Sequence, residues 1–284
     1  MKHVIRRTLP CLALALLALG VVSSCGTSQQ GEQQTGAQSD EEDTTTAAAT
    51  TSTTTRAAAP TETTPAAGRT AEESIATMEG GQAGVETDAA LIAAAERGDE
   101  EAVRRMLEDG ADVAARDASG RTALVAAAYG NHLGAAEALI EGGADVNAKD
   151  QTVQSAYLIS TSEVGDDPRL LELTLRNGAD VTSLDSYDGT GLIRAADRGH
   201  VRIVEELLAT ETNVDHVNNL GWTALLEAII LGGGDAAHTE VVRLLVEGGA
   251  DPNLPDGQGV TPLRHAEQRG YSEMAEILRD AGAR

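Results

Sequence analysis

The chain predicts an all-α repeat solenoid, a stack of helix-turn-helix units with β-turn or hairpin fingers between them, and three observations lead there. A "GADV" turn recurs, its valine standing at Val113, Val146, Val181 and Val214 and its place taken by Pro252, at spacings of 33, 35, 33 and 38 residues. A second signature precedes it: "DASGRTALVAAAYGN" from Asp117, "NNLGWTALLEAIILG" from Asn218 and "DGQGVTPLRHAEQRG" from Asp256 share one pattern, Asp or Asn, then Gly three residues on, then Thr, Ala or Pro, and Leu. Aromatic residues are 2% of the 284 and Phe is absent, so the core must be Leu, Val, Ile and Ala. Such side chains suit close helix packing, and stacked units share a core that no single unit could bury.

Each part of the unit has a physical reason. In the last copy Gly259 permits the tight turn, Thr261 is the N-cap candidate of the first helix and Pro262 fits its first position. Leu263 and Ala266 form the packing face, and Gly270 ends that helix. The second helix shows helical spacing, as in Val201, Val204, Leu207 and Leu208, and Gly110, Gly143, Gly178 and Gly249 supply its left-handed C-terminal cap. The period and these residues resemble the ankyrin repeat family over about 200 residues of the chain. Six units are expected, at 85–116, 117–149, 150–184, 185–217, 218–255 and 256–284. The first lacks the glycine turn and the last stops without a following finger, which suits N- and C-terminal caps.

The repeats occupy 85–284; what precedes them reads differently. Lys2, Arg6 and Arg7 begin residues 1–24, and the apolar run Leu9 to Val22 follows. Fourteen helical residues span about 21 Å, short of a hydrocarbon core of roughly 30 Å, so this is a signal peptide and not a spanning helix. "VSSC", Val22 to Cys25, resembles the lipobox of bacterial lipoproteins. That resemblance implies a lipid on Cys25, cleavage before it, and a chain exported and anchored in a cell membrane on its extracytoplasmic side. Ordinary signal-peptidase cleavage leaving a stray thiol is the alternative. Cys11 lies in the removed segment, so Cys25 is the one cysteine after maturation and no internal disulfide can form. Residues 25–84 are rich in Thr, Ala and Ser and poor in aliphatics, the composition of a disordered tether with a reach of roughly 40 to 50 Å.

The formal net charge of −24, from 45 acidic against 21 basic residues, sits mostly on the repeats. A domain this acidic is unsuited to nucleic acid or to an anionic bilayer and favours a basic protein partner, or none beyond solvent. No cofactor, metal or catalytic constellation is expected. His132, His200 and His238 recur at the start of second helices as structural caps, and no Cys/His set has metal spacing. Gly232 to Gly234, in a five-residue insertion, lacks the Lys-Ser/Thr of a phosphate loop and is expected to be a flexible turn.

Function in the resembled family resides at fingertips and on the exposed faces of first helices, so departures from the pattern there are the candidates. Four positions after each N-cap stand Ala126, Ile159, Arg194, Glu227 and His265. With adjacent units about 10 Å apart, Arg194 and Glu227 come within reach of each other and His265 can join them, either as an internal ion-pair ladder or as a row that contacts a partner. Tyr187, Leu220 and Trp222 lie in adjacent fingers and form the preferred contact patch, unless Trp222 lies flat on its own finger. The third unit carries Val153 in place of Gly, Ser160 and Thr161 in place of an Ala pair, and two extra residues before Pro168. It is either a degenerate unit or one that builds a polar pocket from Ser160, Thr161, Ser162 and Glu163. Two functions follow: a membrane-tethered protein-binding scaffold, monomeric and non-enzymatic, or a lipoprotein that binds a small molecule or peptide among Ser160, Arg194 and Glu227.

Overall fold

A computed structural model describes residues 86–284. The expected signal peptide, the Cys25 lipidation site and the tether up to residue 84 lie outside the described residues.

Helix signals fall where the pattern puts them. Thr122, Ser155, Thr190, Thr223 and Thr261 each hold extended backbone and accept, on the side-chain oxygen, the N–H three residues on, at 3.2–3.4 Å. Each thereby starts a short helix: α3 (Ala123–Tyr129), α5 (Ala156–Ser162), α7 (Gly191–Arg198), α9 (Ala224–Ile230) and α11 (Pro262–Arg269). Pro262 opens α11, where its missing N–H costs nothing, and Gly270 closes it at φ +74°. The second helices are α4 (Leu133–Glu141), α6 (Arg169–Arg176), α8 (Val201–Leu208), α10 (Ala236–Glu247) and α12 (Ser272–Asp280). Ahead of them stand α1, helical over 86–97, and α2 (Glu100–Glu108).

The helices form two layers. First helices pack in series, α3 on α5 on α7 on α9 on α11, and second helices α8, α10 and α12 do the same. Between the layers lies a core of Leu, Ile, Val and Ala with Tyr157 as its one fully buried aromatic, in two clusters that together run through all six helix pairs. The fingers that join units are turns closed by backbone hydrogen bonds, with no strand among the described residues.

Two irregularities are absorbed by local compensation. Tyr157 stands where the other first helices carry Leu124, Leu192, Leu225 and Leu263, and the neighbouring unit answers with Gly191 where they carry Ala or Pro. A Cβ on Gly191 would lie 2.5 Å from the Tyr157 hydroxyl and 2.9 Å from Thr161 Cγ2, so the missing methyl makes the space for the larger ring. Val153, at φ +64°, holds the left-handed turn position that Gly120, Gly221 and Gly259 fill elsewhere, a conformation a β-branched residue adopts only under strain.

The insertions are built in. In the third unit Asp166 Oδ1 accepts the N–H groups of Arg202 and Ile203, at 2.8 and 3.1 Å, and so caps α8 of the next unit, whose N-cap His200 makes no side-chain cap bond. In the fifth unit the insertion does not stay a loose turn. Asp235 caps α10, accepting from His238 N–H at 2.9 Å, and the helix gains an extra turn at its start. Tyr271 Oη then donates to the Gly232 carbonyl at 3.1 Å, and a Cβ on Gly234 would meet the same ring at 2.5 Å.

Units are stapled by the residues at second-helix starts. His132 Nε2 meets the Glu96 carbonyl at 3.1 Å, His200 Nδ1 that of Thr161 at 3.2 Å and His238 Nε2 that of Asp197 at 3.1 Å. These rings reach back to the C-terminal end of the preceding unit's first helix, where carbonyls lack helical donors. Their structural role is therefore an inter-unit tie, and Tyr271 performs it in the last unit.

Candidate partner-binding groove

Each finger is organised by its first residue. Asp117, Asp150, Asp185, Asn218 and Asp256 accept, on Oδ1, the backbone N–H two and four residues on, at 2.8–3.0 Å. This fixes the turn and leaves the second side-chain atom aimed along the groove between fingers and first helices. In the last three units that atom meets the residue nine positions on. Asp185 Oδ2 accepts from Arg194 Nη1 at 2.9 Å, Asn218 Nδ2 donates to Glu227 Oε1 at 2.8 Å, and Asp256 Oδ2 meets His265 Nε2 at 2.7 Å.

The turn residue is matched to its partner. An aspartate faces the arginine and the histidine, and an asparagine, the one choice that can donate, faces the glutamate. Each row side chain thus meets the finger of its own unit and none meets another member of the row, which corrects the expected Arg194, Glu227 and His265 ladder. The physical reason is proximity: a finger lies over its own first helix, so the turn residue takes the row side chain before a neighbouring unit can.

Arg194, its side chain 13% exposed, is the most engaged of the three. Besides Asp185 it donates through Nη2 to Ser162 Oγ at 2.6 Å, Gln154 Oε1 at 3.0 Å and Glu163 Oε1 at 3.4 Å, which ties the fourth unit to the third. His265 also meets Arg269 Nη1 through Nδ1 at 3.0 Å. Although burial opposes it, the Val260 N–H, the His265 ring and the Gln258 N–H hold the Asp256 carboxyl below its usual range. Glu227 is the opposite case. Burial pushes its carboxyl up to about 7, nearby Asp197 and Asp185 add to the rise, and the single Asn218 bond counters only part of it.

Ser160 leaves the candidate surface. It is fully buried and turns its hydroxyl to the Tyr157 carbonyl at 2.7 Å, as Thr161 does to Leu158. Helix hydroxyls without a polar neighbour take the carbonyl one turn back, so of the two readings of the third unit the polar pocket does not form around them. Of that group Ser162 and Glu163 do reach the groove, where they receive Arg194.

The fingertips carry the apolar surface. Tyr187 and Leu220 occupy the same turn position one unit apart and are 48% and 47% exposed, joined by the Asn219 N–H donating to the Tyr187 carbonyl at 3.0 Å. At that position the other fingers carry Ser119, Thr152 and Gln258, so the apolar pair is confined to the fourth and fifth units. Val217, missed in the sequence, adds 45% exposure next to Asn218. Trp222 is half-buried, its N–H on Asn218 Oδ1. Its register equivalents are Arg121, which reaches back to Glu96, and Gln154, which reaches forward to Arg194, so the position lies in the groove between fingers and first helices. Among the described residues no group of His, Cys, Asp and Glu is placed to hold a metal, and no helix is long and apolar enough to cross a membrane.

Paired helices stacked in two layers, with fingers along one edge, define the class: a repeat scaffold for protein–protein interaction. Comparison with known proteins gives the family. The family model for ankyrin repeats, in three copies, matches residues 69–150 and 158–256. The chain is 41% identical over 193 residues to the ankyrin repeat protein YahD of Escherichia coli (strain K12), covering 68% of this chain and 95% of that protein. Among solved structures, an ankyrin repeat domain from Acinetobacter baumannii AYE aligns at a TM-score of 0.65 and 48% identity, covering 68% of this chain and 98% of that one. The ankyrin repeat protein EF0377 aligns at 0.63 and 34% identity, over 68% and 97%. The chain belongs to the ankyrin repeat family.

Proposed function

We propose that this protein is a non-enzymatic scaffold, tethered to a membrane on its extracytoplasmic side through a lipid on Cys25, that binds another protein through the groove and fingers of its fourth and fifth units. The observation that carries the binding site is the exposure of Tyr187 and Leu220 at one turn position in two adjacent fingers, where the sibling fingers carry Ser119, Thr152 and Gln258, with exposed Val217 beside them. Large apolar groups held on a rigid surface lose little entropy on binding and form the energetic centre of interfaces. Arg194 is engaged by four acceptors and its one unpartnered nitrogen, Nε, is buried, which favours a protein partner over the ligand-binding alternative.

The anchor rests on "VSSC" at the end of an apolar run, with a Thr-rich segment long enough to hold the repeats clear of the surface. Two experiments test the halves separately. Replacement Cys25→Ser is expected to move the protein from the membrane to the soluble fraction and abolish labelled fatty-acid incorporation; retention of both would refute the anchor. Affinity capture from the native envelope with the full chain, against the Tyr187→Ser, Leu220→Ser, Trp222→Ala triple variant, is expected to lose its main protein partner in the variant. Equal recovery by both baits would refute the patch.

A further inference from the structure

The three polar residues of the groove row end differently. Arg194 and His265 meet carboxylates, but Glu227 meets the neutral Asn218 amide, and on one oxygen only. Its second oxygen accepts no hydrogen bond among the described residues. A carboxylate that is 4% exposed and has no cation against it is costly to keep ionised.

No neighbouring cation is free to serve it. On α7, Arg194 is committed to Asp185 and Glu163, Arg198 lies against Glu163 and Asp197, and Asp197 adds negative charge. On α11, His265 is held by Asp256 and Arg269. On α10, His238 sits between Asp235 and the Asp197 carbonyl. The fourth finger contributes a further carboxylate, Asp185. The apolar fingertip is mechanically joined to this anion: Asn218 holds the N–H groups of Leu220 and Trp222 on its oxygen and Glu227 on its nitrogen.

Building on the protein-binding reading above, we propose that the fourth and fifth units take a partner segment that pairs a large apolar side chain with a lysine or arginine. The apolar side chain seats on Tyr187 and Leu220, and the cation is received by Glu227. Charge complementarity supports this occupant, since the chain carries a net −24 and would repel an acidic segment while steering a basic one toward the groove. A long, flexible cationic side chain is also the group that can reach a recessed carboxylate while its backbone stays at the rim.

The proposal has a proton signature. With the Glu227 carboxyl at about 7, a bound cation draws off its proton, so affinity rises with pH from about 6 to 8. The test uses the full chain as bait for a phage-displayed library of random dodecapeptides at about pH 8. Selected sequences are expected to be enriched in Lys or Arg near Leu, Ile, Trp or Phe. A synthetic selected peptide lacking His, Asp and Glu should bind Glu227→Gln roughly tenfold more weakly than the unaltered chain. It should lose about three- to tenfold in affinity from pH 8 to 6 on the unaltered chain and none on Glu227→Gln, one pKa unit being a tenfold change. Selection of apolar sequences without basic enrichment, or equal binding to Glu227→Gln, overturns the cation inference and leaves the groove reading standing. If no selected peptide loses affinity for the Tyr187→Ser, Leu220→Ser variant, the groove reading falls as well.

Discussion

Asp185, Asn218 and Asp256 hold one position in successive units, and each is the residue its partner requires: an acceptor for Arg194, a donor for Glu227, an acceptor for His265. The row itself is legible in the sequence, because four positions after each N-cap is a fixed address on a helix. Its pairing is not, because it depends on how a finger folds over its own helix and not on spacing along the row. Glu227 turns this arrangement into a pH effect. Its carboxyl, ordinarily near 4.5, stands at about 7 in the folded chain, so between those values the folded state holds a proton the unfolded chain has lost. Stability contributed by this group is present at low pH and is lost as pH rises through 7. Denaturant titrations are expected to show the unaltered protein losing roughly 2 to 3 kcal/mol more than Glu227→Gln between about pH 5 and pH 8. Parallel curves for the two proteins would contradict the assignment. The Tyr157 and Gly191 pair makes a second residue-scale prediction. Tyr157 Oη is buried without a partner, so Tyr157→Phe should change stability by less than about 1 kcal/mol, toward greater stability. Gly191→Ala should cost about 1 to 3 kcal/mol by overpacking, and less in the Tyr157→Phe background. Strictly additive effects in the double variant would show that the two do not share one space.

Helix boundaries were the most readable elements. Thr261, Pro262 and Gly270 do what their types predict, and Gly110, Gly143, Gly178 and Gly249 take the left-handed cap at φ +83° to +95°. Insertions were the least readable, since an extra residue breaks the register from which its role would be inferred. Asp166 is the case in point: two residues that look like slack in the third unit place a carboxylate on the N-terminus of α8. Thermal or urea unfolding of Asp166→Ala is expected to show a loss of about 1 kcal/mol, the usual worth of a helix N-cap. A change within experimental error would mean that α8 is not held by its neighbour. In the fifth unit the sequence pointed to a flexible glycine turn, whereas Asp235 converts part of it into helix and Tyr271 closes over the rest.

Across the whole molecule, the six helix pairs repeat one packing problem with one solution, and the exposed tip position is apolar in the fourth and fifth fingers alone. Tyr187 is visible as a candidate because aromatic residues are so rare in this chain, and Leu220 because it stands in the adjacent finger, while Val217 is not, as a lone valine beside a turn carries no signal until its exposure is known. The acidic chain, the unneutralised Glu227 and the apolar tips lie together on that stretch, whereas α12 lies in the other helix layer. Site-specific photo-crosslinking in native cells tests this most directly, with the crosslinking residue at position 220 in one chain and at exposed position 276 on α12 in another. A single protein adduct from position 220 and none from position 276 is the predicted result. Adducts of equal yield from both positions, or from position 276 alone, would contradict binding through the fourth and fifth units.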